Sequence, residues 1–140
     1  MIMLDTDVVS ELLRPEPDTA VLAWLAGQRR GELYTTTISE GEIAFGLALL
    51  PKNRRRDMLT QAVARLLGVG LGGRVLPFDR AAAAAYGEIT AKRGTTDGAV
   101  ATAAGQIAAI AKARGARPVA TRDTASFANS GLKCSDPWVR

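Results

Sequence analysis

Met1-Ile2-Met3-Leu4-Asp5-Thr6 opens the chain with a short apolar run that stops abruptly at an acid. So short and unbroken a run suits a strand buried on both faces of a parallel sheet. An acid at the carboxyl end of such a strand stands in the crevice where open α/β sheets hold ligands. Asp5 is therefore the first candidate functional residue. Its plainer role is to cap the next helix, because a carboxylate accepts bonds from the free N–H groups of a first helical turn. Asp7 and Ser10 could cap there equally well.

Beyond this strand the chain alternates helical and extended segments. Val8 to Leu13 reads as a short helix stopped by Arg14-Pro15-Glu16-Pro17, and Asp18 or Thr19 starts a second helix carrying Val21, Leu22, Trp24 and Leu25. Leu33 to Thr37 is rich in β-branched and aromatic residues and reads as the second strand. Ser39 with Glu42 three residues later fits a capping box, which gives Glu42 a structural role as readily as a functional one. Glu40 lies about 200° around the helix from Glu42 and cannot share its site. A basic run, Lys52, Arg54, Arg55 and Arg56, precedes an amphipathic helix with Leu59, Val63, Leu66 and Leu67; it is either a solvated face or a phosphate contact.

Gly68 to Gly73 lacks the lysine and Ser/Thr of a phosphate loop and reads as a plain connection. Val75 to Phe78 is the third strand, and Asp79 caps a helix running to about Arg93. Gly94 to Gly98 reads as a polar turn, and Ala99 to Arg114 as a small-residue helix closed by Gly115. Pro118 to Thr121 forms a fourth strand followed by Asp123, which repeats the opening pattern of an acid after a short apolar strand. Leu132-Lys133-Cys134 is a candidate edge strand. Such alternation predicts a parallel α/β sheet with helices on both faces, from which Asp5 and Asp123 project at one edge.

Composition narrows the chemistry. The chain has 140 residues, the length of one domain, with 18 basic against 14 acidic residues and a pI near 9.7, which suits an anionic partner. Cys134 is the only cysteine and there is no histidine, so histidine-based triads, zinc thiolate clusters and an intrachain disulfide are all excluded. Without an apolar run of about 20 residues or a signal peptide, a cytoplasmic protein with no membrane partner is expected. Carboxylates gathered in one cleft repel by ~4 kcal/mol per pair at ~4 Å and an effective dielectric near 20. Mg²⁺ or Mn²⁺ relieves this and can activate water against a phosphodiester.

These residues carry a resemblance. Met1 to Pro15, Ile38-Ser39-Glu40-Gly41-Glu42-Ile43 with Gly46 to Leu50, Gly73 to Asp79, Gln106 to Ala111, Ala120-Thr121-Arg122-Asp123 and Asp136-Pro137-Trp138 together resemble PIN-domain toxins of the VapC group, near the FitB-like branch, in family order along the chain. The resemblance implies a single PIN domain over residues 1–140: a three-layer α/β/α sandwich with a central parallel sheet of four to five strands. It implies a Mg²⁺- or Mn²⁺-dependent endoribonuclease acting on structured RNA such as tRNA or rRNA, homodimeric, and held as a hetero-oligomer by a cognate antitoxin. Carried over by position, the catalytic and metal-binding acids are Asp5, Glu42 and Asp123. The family's remaining acid falls on Ala104, so the resemblance implies a weakened nuclease, and Asp7 replaces the usual asparagine.

Two other classes fit parts of the chain. Asp5-Thr6-Asp7-Val8-Val9 also matches the opening of haloacid-dehalogenase-like phosphatases, with Asp5 as nucleophile and Asp7 as acid. With Ala104, a non-catalytic module binding RNA or antitoxin is the third reading. The helices between Val8 and Leu67, with Trp24, Leu25, Leu66 and Leu67, supply either core or an antitoxin groove.

Overall fold

The computed structural model describes residues 1–93, 102–127 and 130–139. Five strands, β1 (Ile2–Leu4), β2 (Leu33–Thr36), β3 (Val75–Leu76), β4 (Val119–Ala120) and β5 (Cys134–Ser135), form one sheet in the order β3-β2-β1-β4-β5 with every pairing parallel. Seven helices accompany them: α1 (Thr6–Leu12), α2 (Thr19–Ala26), α3 (Thr37–Ala48), α4 (Arg54–Arg65), α5 (Arg80–Arg93), α6 (Thr102–Arg114) and α7 (Thr124–Phe127). The expected polar turn at Gly94 to Gly98 lies outside the described residues.

β1 is central and its side chains alternate between two cores. Met3 enters one with Leu76, Ile89, Ile107, Ile110, Val119 and Phe127, while Ile2 and Leu4 enter the other with Val8, Val9, Val21, Leu33 and Ile43. α5 and α6 therefore cover one face and α1 to α4 the other, which is the expected three-layer arrangement. Ala108, Ala109 and Ala111 are fully buried, so the small-residue face of α6 lies close on the sheet. Gly115 closes α6 at φ 68°, a conformation that a side chain disfavours. Trp24, Leu25 and Leu66 pack against the second core and Leu67 is buried in it, so these four residues serve the core.

Several boundaries differ from the sequence reading. α1 begins at Thr6, because Asp5 does cap it, accepting the Thr6 N–H at 2.8 Å. β2 ends at Thr36, which is the N-cap of α3 and accepts the Ser39 N–H at 3.1 Å. The Ser39–Glu42 capping box is therefore not formed: Ser39 is buried inside the first turn and Glu42 is free to reach elsewhere. The Gly68–Gly73 connection is partly wound, since Leu66–Gly70 continues α4 as a π turn before Gly72 and Gly73 reverse the chain at φ 57° and 74°. Glu11, buried on α1, accepts the Asp18 N–H at 2.9 Å and faces Arg14, bridging the proline turn.

Candidate metal centre

The register places three chemistry-bearing segments side by side. Leu4 pairs with Ala120 and Met3 with Tyr34, so one or two steps further Asp5 stands between Thr36 and Thr121 at the carboxyl edge. Asp5 Oδ1 accepts the Thr6 N–H, and Oδ2 accepts the Thr121 hydroxyl at 2.7 Å. That hydroxyl is 3.3 Å from Asp7 Oδ2, but with one proton to give it serves Asp5. Asp7 Oδ2 accepts the Arg122 N–H at 2.8 Å, and Asp7 Oδ1 is buried with no hydrogen-bond partner.

On the other side, Thr6 Oγ1 lies 2.7 Å from Glu42 Oε1 and 2.8 Å from Ser39 Oγ. A carboxylate only accepts, so Thr6 donates to Glu42 and receives the Ser39 proton. Glu42 is thereby tied to the residue beside Asp5. Thr6 and Thr121, which hold the acids in place, escaped the sequence reading. The available signal was a hydroxyl one or two positions from each strand-end acid.

Burial pushes the Asp5 carboxyl up to about 6, aided by the neighbouring Asp7 and Glu42 charges and resisted by the Thr121 and Thr6 hydrogen bonds. Burial likewise raises Asp7, against the Arg122 N–H and its guanidinium charge. Asp7, read from sequence as a departure from the family pattern, thus belongs to the same charged group.

The other candidate residues are placed differently. Asp123 follows β4 at the same edge, and its backbone N–H donates to Thr121 Oγ1 at 3.0 Å. Its exposed carboxylate, however, caps α7 through the Ser126 N–H and hydroxyl. Ala104 lies in the first turn of α6, partly buried against the first core, and offers no ligand atom. Lys52, Arg54 and Arg56 line one surface depression at the start of α4, and Arg54 and Arg55 line another. Among the described residues no group of three or more His, Cys, Asp or Glu side chains is placed to hold a metal ion. A hard cation taking one or two carboxylates and keeping its waters does fit: Asp5 and Glu42 offer oxygen only, and Asp7 Oδ1 is an unsatisfied acceptor beside them.

The chain matches the PIN domain family over residues 2–131. It is 44% identical to VapC ribonuclease Y4jK of Sinorhizobium fredii over 99% of this chain and 98% of that protein. It is 38% identical to Toxin FitB of Neisseria gonorrhoeae over 99% of both. The solved structure of FitAcB from Neisseria gonorrhoeae superposes with a TM-score of 0.89 at 38% identity, covering 100% of both chains. DNA-bound VapBC from Salmonella typhimurium, at 22% identity, shares the fold with a TM-score of 0.80 over 97% of each chain.

Proposed function

We propose, for a chain that belongs to the PIN-domain family and to its VapC/FitB toxin branch, the activity of a divalent-metal-dependent endoribonuclease on structured RNA such as tRNA or rRNA, in the cytoplasm. The observation that carries this reading is the desolvated Asp5 carboxylate, held by Thr121 and Thr6 and flanked by Asp7 and Glu42 at the edge of a parallel sheet. Asp5 and Glu42, with Asp123 and Asp7 near them, are the residues that would hold Mg²⁺ or Mn²⁺, and the ion when bound would supply an activated water and offset the phosphodiester charge. Thr121 holds the Asp5 carboxylate and Thr6 the Glu42 carboxylate, which restricts both at the sheet edge. The cations Lys52, Arg54, Arg55 and Arg56 give the RNA strand an electrostatic footing.

We infer that Ala104 leaves the activity of this chain absent or weakened. A carboxylate in the first turn of α6 would sit near the positive helix end and complete the acid set; Ala104 cannot. Loss of a hydrogen-bonded partner of a metal ligand already costs ~10–100-fold in affinity or activity, and loss of a ligand costs at least as much. Cleavage of tRNA by the purified chain and by Ala104→Asp, with Mn²⁺ affinity measured alongside, tests this. The variant is expected to gain both. Equal cleavage by the two proteins would mean that the missing acid has been assigned to the wrong position. RNA binding without turnover in either protein would favour the binding-module reading.

An antitoxin partner has a surface to occupy. A groove of about 530 Å³ with an apolar floor of Pro15, Met58, Leu59 and Ala62 is rimmed by Arg54, Arg55 and Arg65. Through Leu59 it continues into a second groove of about 240 Å³ that reaches Thr6 and Glu42. An amphipathic acidic segment laid along both would end at the carboxylates and silence them. The DNA-bound FitAB and VapBC structures support an antitoxin as the partner. The phosphatase reading loses its ground, because the family match spans residues 2–131.

A further inference from the structure

We propose that Arg122 contacts the RNA strand, its guanidinium taking a backbone phosphate beside the carboxylate cluster, and that Trp138 is the residue that positions it. Arg122 lies two residues beyond the end of β4, and its backbone N–H is clamped on Asp7 Oδ2 at 2.8 Å, which fixes the root of the side chain next to the acids. Its Cζ lies 3.9 Å from the centroid of the Trp138 ring, close enough for the guanidinium to rest against the indole face. Trp138 is itself anchored, packed against the second core and donating its backbone N–H to Asp136 Oδ1 at 2.9 Å.

The guanidinium charge acts on Asp7 at a distance but is not spent in a direct pairing with it. Arg122 is exposed, and its guanidinium makes no hydrogen bond or ion pair among the described residues, so its five donors remain available. A long cation normally surrenders its freedom on binding; here stacking on Trp138 restricts the side chain in the free protein. A planar fork of donors matches two oxygens of one phosphate, which an ammonium does not. Since the site's ligand is taken to be a phosphodiester chain, this inference rests on the ribonuclease reading.

Binding of a labelled tRNA pool in Mg²⁺, followed by fluorescence anisotropy over a series of salt concentrations, tests it. Arg122→Gln is expected to weaken binding about tenfold and to reduce the slope of log K against log salt by ~0.7–0.9, the loss of one phosphate contact. A purely structural role would not move that slope. Arg122→Lys should keep the slope and lose part of the affinity, and Trp138→Phe, which retains an aromatic face, should stay near the parent protein. Arg114→Gln, exposed at the far end of α6, should change neither quantity. If the parent protein binds and Arg122→Gln matches it in affinity and slope, the phosphate contact is wrong while the nuclease reading stands. If the parent protein binds no RNA, the nuclease reading falls and this inference with it.

Discussion

Asp5 is the residue at which function and stability pull apart. Its carboxyl is raised from 3.8 to about 6 by burial and by Asp7 and Glu42, so the folded chain holds a proton there more tightly than the unfolded chain does. The corresponding stability is fully present below pH 3.8 and is lost as pH rises through about 6, a swing on the order of 3 kcal/mol. Asp5→Asn carries no charge and escapes that loss. In EDTA its thermal midpoint is expected to exceed that of the parent protein at pH 8 and to match it near pH 4. A difference between the two proteins that is the same at both pH values would remove Asp5 as the source. Added Mn²⁺ should then stabilise the parent protein at pH 8 more than the variant, because a neutral amide oxygen is a weaker ligand than a carboxylate.

At the scale of the element, α3 is started by Thr36 and not by Ser39. Thr36 stands at the end of a buried strand, is fully buried itself, and turns its hydroxyl onto the Ser39 N–H, so the helix takes its direction straight from the sheet edge. This releases Glu42 to point across to Thr6 on α1. Thr36→Ala should therefore cost about 1 kcal/mol of unfolding free energy in urea denaturation, the usual worth of a lost cap. Glu42→Gln, whose partner is an exposed hydrogen bond, should stay within about 0.5 kcal/mol of the parent protein while weakening metal binding. A large stability loss in Glu42→Gln with none in Thr36→Ala would restore the capping box read from the sequence.

At the scale of the molecule, the outer face of α3 bears on assembly. Phe45 is 67% exposed and Leu49 70% exposed, four residues apart and so on one side of the helix. Two large apolar side chains displayed together are out of place on a solvated surface and favour a self-complementary contact. We therefore expect a homodimer that pairs through α3. Light scattering at micromolar concentration should give twice the chain mass for the parent protein and a single chain mass for a Phe45→Ser, Leu49→Ser double variant. A parent protein that scatters as a monomer would discard the dimer, and a double variant that remains dimeric would move the contact off α3.

What the sequence by itself determined is what short-range physics writes into a few neighbouring residues. The short, unbroken Ile2-Met3-Leu4 run suits a strand covered on both faces, and β1 sends its side chains into two cores. The alternation of strands and helices required parallel pairing, and all four strand pairings are parallel. Gly115 and Asp79 marked a helix end and a helix start where the chain places them. The tertiary structure decided which groups meet at the site. Asp7 enters the acid cluster through the Arg122 backbone N–H, more than a hundred positions away, and Glu42 through Thr6. A hydroxyl has one proton, and its recipient depends on the register of β1 against β4 and on the angle at which α3 leaves β2; no local window of sequence contains either.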